Sequence, residues 1–371
     1  TNNGTSIAAA NYNIVSVTIP VGLTAGGGNV AVPANGVVSG YISSDKYTNQ
    51  TNGALVVEYD VQGVSGAGCT GDTQTIFVTI NPEPVIDPGL DDTVCSDAAV
   101  ALTLNTNGTS VAAANYNIVA VTVPAGLTAG ANAVIPANGV GAGYLAGDTY
   151  TNQTNAAIVV IYEVKGVSAS ACIGDSEFIN ITIDPEPVVD NTLGSTVCSN
   201  DAIGLNLATD ATSVPASSYN VVSVSIAAGL TAGGSNAAIP GNGVALGYLA
   251  SDTYYNPTSS ALNVTYNVQG NSAAGCTGDI ENITIVINPE PVINTALDKT
   301  VCSDNNINVT LATNGTSVAA ANYNVKAITI PVGVTAAGTN AVIPSSGVAA
   351  GYIFNDSYTN KTATSLDVIT K

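Results

Sequence analysis

The chain has 371 residues, 46% of them apolar, and carries 26 acidic residues against 6 lysines, with no arginine or histidine and a formal net charge of −20. That much apolar content can build several small cores. So acidic a surface repels phosphate backbones and anionic lipid and lacks the guanidinium groups that read bases, which excludes nucleic acid as a partner.

The chain opens on NGTSIAAANYNIVSVTIPVGLTAG at 3–26, and close copies return at 107–130, 210–233 and 314–337. The period is domain-sized, so the copies read as beads in tandem and not as short solenoid units. The first repeat starts late and the last stops early, as in a window on a longer array. Four domains are expected: a partial repeat lacking its first strand at 1–86, complete repeats at 87–189 and 190–293, and a truncated repeat at 294–371.

Within each repeat the periodicity is that of strands. LVVEYDV at 55–61 sets Leu55, Val57, Tyr59 and Val61 on one face, and INITI at 179–183 does the same with its three isoleucines. Gly-Leu-Thr-Ala-Gly and Pro-Ala-Asn-Gly segments punctuate these runs as turns. About seven short strands per hundred residues predict an all-β chain of immunoglobulin-like β-sandwiches. The junctions repeat a Pro-Glu-Pro triplet, with Pro82 and Pro84, Pro185 and Pro187, and Pro289 and Pro291. Prolines in alternate positions fix φ and remove donors, so semi-rigid Pro-x-Pro linkers are expected.

The elements VCSD, GYLAGDTYTNQT, VVIYEVKGVSASACIGD and INITIDPEPVV together resemble the PKD-like, immunoglobulin-fold repeats of very large secreted surface proteins of Bacteroidota. The resemblance covers nearly all of the chain. It departs at the Asn-Tyr-Asn segment (Tyr12, Tyr116, Tyr219, Tyr323), where many such repeats carry a tryptophan and this chain has none. It implies export, by the type IX route, and a stalk or adhesin role in attachment or gliding.

Six cysteines without a C-x-x-C spacing or any histidine suggest disulfides and an extracytoplasmic setting. Pairing across each junction would join Cys69 to Cys95, Cys172 to Cys198 and Cys276 to Cys302. Pairing within a repeat would join Cys95 to Cys172 and Cys198 to Cys276, leaving Cys69 and Cys302 to partners outside the window. A final strand of roughly ten residues carries the chain about 33 Å from the first cysteine of each junction, beyond the reach of a disulfide. In an immunoglobulin-like unit the first and last strands start at the same end, so geometry favours pairing within a repeat.

Other candidates read as structural. Asp45, Asp148, Asp252 and Asp356 recur before a tyrosine, and Asp72, Asp175 and Asp279 recur after Cys-x-Gly, but neither set forms a calcium loop, and Asx-turns are the simpler expectation. Asn49, Asn152 and Asn360 head sequons, yet the third repeat has Asn256-Pro257-Thr258, so the position calls for an Asn-x-Thr turn. Tyr59, Tyr162 and Tyr266 are expected in the core with a backbone partner for each hydroxyl. Without histidine there is no His-based triad, and no phosphate-binding glycine loop occurs. The expectation is a non-enzymatic, cofactor-free, extracellular cell-surface stalk or adhesin segment. Its partners would be neighbouring repeats of the same chain. A self-assembling filament of many copies and a multivalent carbohydrate-binding array on surface glycans are the alternatives, and no membrane insertion is expected in this window, where no apolar run approaches ~20 residues.

Overall fold

The computed structural model describes residues 4–371, and among them the only helix is a single 3-10 turn, Thr295–Leu297. None is long and apolar enough to cross a membrane. The chain is a tandem series of immunoglobulin-like β-sandwiches joined by Pro-x-Pro linkers.

The first repeat holds β1 (Asn11–Thr18), β2 (Leu23–Ala25), β3 (Ala34–Val37), β4 (Tyr47–Asn49), β5 (Leu55–Val64) and β6 (Gln74–Ile80). The second holds β7 (Asp92–Cys95), β8 (Ala113–Thr122), β9 (Leu127–Ala129), β10 (Ala137–Val140), β11 (Tyr150–Asn152), β12 (Ile158–Ser168) and β13 (Glu177–Asp184). The third follows with β14 (Ser195–Cys198), β15 (Ser218–Ile226), β16 (Thr231–Ala232), β17 (Gly241–Val244), β18 (Tyr254–Tyr255), β19 (Leu262–Asn271) and β20 (Glu281–Asn288). The last repeat keeps three two-stranded ribbons made from short strands between Tyr323 and Thr370.

In the second repeat one sheet runs β10-β8-β12-β13-β7, antiparallel except for the edge strand β7, which lies parallel to β13 with Cys95 opposite Asp184. The third repeat copies this order as β17-β15-β19-β20-β14, with Cys198 opposite Asn288. The alternation seen in INITI is realised: Ile179, Ile181 and Ile183 point inward and are buried. Opposite them, Val100, Leu102 and Leu104 enter the core from an extended segment bonded to the Ala142–Asp148 stretch, as in the 2.8 Å bond from Val100 N–H to the Asp148 carbonyl. Each such side chain contributes about 1.5–3 kcal/mol when fully buried.

By internal packing the described chain divides into two compact units. One takes Thr1–Glu186 with Thr212–Val214 and Ala274–Cys276, and the other takes Pro187–Ala211, Pro215–Ala273 and Thr277–Lys371. Two short segments of the third repeat thus fall in the first unit.

Candidate functional site

Several recurrent features lie at the joints between repeats. In the first unit the linker is not a free spacer, since Pro82 and Pro84 are both buried. Between them Glu83 donates its N–H to the Asn49 carbonyl of the first repeat at 2.9 Å. Pro84 then seats on the second repeat between two glycines. A Cβ on Gly166 would lie 2.8 Å from the Pro84 Cβ, and one on Gly174 would lie 1.9 Å from the Pro84 carbonyl oxygen. No side chain fits at Gly174. Val111 N–H adds a 3.1 Å bond to the Thr51 carbonyl. In the second unit Pro187 lies against Gly270 and Gly278 in the same way, and Val318 N–H bonds the Thr258 carbonyl.

The Asn-x-Thr positions serve the same joints. Asn152 is fully buried, and its Nδ2 donates to the carbonyls of Ala156 (3.0 Å) and Ile183 (2.8 Å). Its Oδ1 accepts from the N–H and Oγ1 of Thr154, and its own carbonyl accepts from Glu186 N–H at 3.0 Å. Asn256 repeats the side-chain pattern despite Pro257. The sequon form thus encodes a turn whose amide nitrogen has both protons engaged. Gln153 Nε2 bonds Glu186 Oε1 at 2.9 Å, tying the linker carboxylate to the same turn.

The recurrent aspartates and tyrosines meet inside each sandwich. Asp148 is buried, and its Oδ1 accepts from Ala133 N–H at 2.8 Å while Oδ2 accepts from Tyr162 Oη at 2.8 Å. Tyr150 Oη lies 2.8 Å from Tyr162 Oη. Asp252, Tyr254 and Tyr266 repeat this triad, as do Asp45, Tyr47 and Tyr59. Two sequence expectations change here. The tyrosine hydroxyl finds a carboxylate and a second tyrosine in place of a backbone carbonyl, and these aspartates bond remote N–H groups in place of local Asx-turns. Burial first, and then the neighbouring Tyr150 and Asp148, push the Tyr162 phenol far above the ordinary tyrosine range. This chemistry is structural: a charged oxygen is held where donors satisfy it.

The structure corrects the cysteine pairings expected within each repeat. Cys95 bonds Cys276, at a Cα–Cα distance of 5.4 Å and a sequence separation of 181, while Cys69, Cys172, Cys198 and Cys302 are free thiols. The physical reason is the position of β7. Cys95 closes this strand instead of opening it, and β7 pairs with the second half of β13. Cys172 precedes the start of β13, so the two cysteines of one repeat lie at opposite ends of the sheet. What lies beside Cys95 is the loop Ala274–Cys276 of the next repeat, packed in the same compact unit. Neither scheme expected from the sequence pairs the edge-strand cysteine of one repeat with the loop cysteine of the next, as Cys95 and Cys276 do.

Residues 29–84 match the family model described as "PKD-like domain". The chain carries a PKD-like repeat. No curated protein matches it. Among solved structures it is similar to protocadherin gammaB7 EC3-6, in a cis-dimer structure, at 10% identity and a TM-score of 0.20, covering 99% of this chain and 86% of that one. Drosophila N-cadherin EC1-4 gives 12% identity and a TM-score of 0.21 over 81% and 76% of the two chains. The sialic acid binding region of a Streptococcus sanguinis SK1 adhesin, bound to 3'sLn, gives 13% and 0.18 over 97% and 89%. TM-scores this low establish no common arrangement of the whole chains.

Proposed function

We propose that this PKD-like chain is a non-enzymatic segment of an extracellular, cell-surface stalk or adhesin of the Bacteroidota type, exported by the type IX route, which holds a distal functional domain away from the cell. The observation that carries this reading is the joint. The polar and special residues that recur from repeat to repeat are spent on seating the linker or on satisfying the sandwich interior. Pro84 against Gly166 and Gly174 and Cys95 bonded to Cys276 fix one repeat to the next, and Asn152 beneath Glu186 holds the linker to the repeat it leaves. A protein whose recurrent chemistry is devoted to joints serves by reach and by transmitting load. The net charge of −20 favours separated chains over lateral packing until salt screens it.

Electron microscopy of the native protein at low and moderate salt tests the reading. Thin threads one sandwich wide at both salts are expected. Thick regular fibres that persist as salt changes would make the repeats an assembly surface and overturn it.

A further inference from the structure

We infer that Cys95–Cys276 is one rung of a continuous disulfide register, in which the edge-strand cysteine of every repeat bonds the loop cysteine of the next. Two observations carry the extension from one bond to all. First, Cys198 closes β14 opposite Asn288 of the parallel strand β20, in the position that Cys95 holds on β7 opposite Asp184. Second, Cys69 and Cys172 sit in loops of one geometry. The serine four residues earlier donates its N–H to the cysteine carbonyl at 2.9 Å, and the cysteine N–H returns a 3.1 Å bond to that serine Oγ, in Ser65–Cys69 and Ser168–Cys172 alike. A two-residue offset then sets the glycine that receives the linker proline, so the loop which carries the thiol is the loop that the joint positions.

Where the repeat continues, Cys198 and Cys302 therefore pair downstream in the register of Cys95–Cys276, and Cys69 and Cys172 pair upstream. Each rung forms by thiol–disulfide exchange. Two protein thiols lose two protons and two electrons to an acceptor disulfide, which leaves as the dithiol.

The register has a mechanical consequence, which rests on the stalk reading. Because each closed loop is longer than one repeat, successive loops overlap, and tension entering at one rung crosses to the next repeat without running through the sandwich between. Backbone carries the load only along junction segments such as Cys172–Cys198, which consist largely of the extended strands β13 and β14 and their linker. Such a segment of roughly 26 residues spans at most about 90 Å and serves two repeats, against about 350 Å for one repeat unravelled without rungs. The rungs therefore cap the length that unfolding can add.

Non-reducing peptide mapping tests the register independently of any stalk role, after oxidation of this chain over a glutathione couple and alkylation of the remaining thiols. The expected result is a Cys95–Cys276 cross-linked peptide with Cys172 and Cys198 alkylated. A second chain, with residues 268–293 repeated after Lys371, supplies the next loop cysteine, and Cys198 is expected to pass from alkylated to cross-linked with it. Links from Cys95 to Cys172, from Cys198 to Cys276 or from Cys69 to Cys95 would overturn the register. So would a fully alkylated first chain, or a Cys198 that stays alkylated in the second.

Discussion

The first and second repeats share almost the same strands and differ in what covers them. On β13, Ile179 and Ile181 are 1% and 0% exposed, whereas their counterparts on β6, Ile76 and Val78, are 44% and 36% exposed. The second repeat receives Val100, Leu102 and Leu104 from the stretch that follows its linker, and the Tyr116 hydroxyl donates to the Leu104 carbonyl at 3.1 Å. Around Tyr12 and Ile14 of the first repeat the matching place is an open groove reaching Val61 and Ile76. Strand pattern is local, and the core is not. The linker shows the same contrast. Pro84 and Pro187 are buried against the paired glycines of the following repeat, and Pro291 is exposed.

Paired substitutions sharpen that comparison. The largest effect is expected from Ile181→Ala, which empties a closed core and should cost about 2–5 kcal/mol, while Val78→Ala on the open face stays within about 0.5 kcal/mol. Urea unfolding followed by circular dichroism measures both, and equal costs would mean that the covering segment is not what completes the core. Next comes the joint. Gly174→Ala places a methyl on the Pro84 carbonyl and should cost about 1–3 kcal/mol with new protease cleavage at the linker. Gly71→Ala, whose Cβ would meet nothing closer than 3.6 Å, should leave both readouts unchanged.

Tyr162→Phe removes a donor from a buried carboxylate, for a loss of about 1–3 kcal/mol. Tyr59→Phe in the more open first repeat is expected to lose less, as differential melting would register. The smallest effect is one of pH. The buried phenols of Tyr150, Tyr162, Tyr254 and Tyr266 are raised above the ordinary value of 10.0, chiefly by burial. Their neutral forms favour the folded state fully below that value. Above it the unfolded chain ionises first, and stability falls as pH rises. Absorbance at 295 nm should show the exposed tyrosines titrating before the buried ones, which ionise together with unfolding. A single transition for all of them would contradict the buried triads.

Much of this was legible in the sequence. The alternation in INITI and LVVEYDV predicts the sheet and its inward face, because a period of two leaves one assignment of sides. Asn256-Pro257-Thr258 shows that the Asn-x-Thr positions are turns. The partners of Tyr162 and Asp148 were less accessible, since they depend on which loops fold over the sheet. The cysteine pairing failed on a single point of topology. Pairing within a repeat requires Cys95 at the start of its edge strand, and its place at the end of β7 moves it from its own repeat's loop to the next repeat's. The Gly174 signal was present in every Cys-x-Gly, and only the packed linker shows what needs the space.

The measurement closest to the central claim is single-molecule extension of this chain, held at its ends, with and without reductant. The joined repeats predict an oxidised chain about 600 Å shorter at full extension than the reduced one, because the Cys95–Cys276 loop never opens, and Cys198→Ser should leave that difference unchanged. Equal lengths in both conditions, or a difference that shrinks by about half in Cys198→Ser as two separate loops within repeats would require, would contradict it.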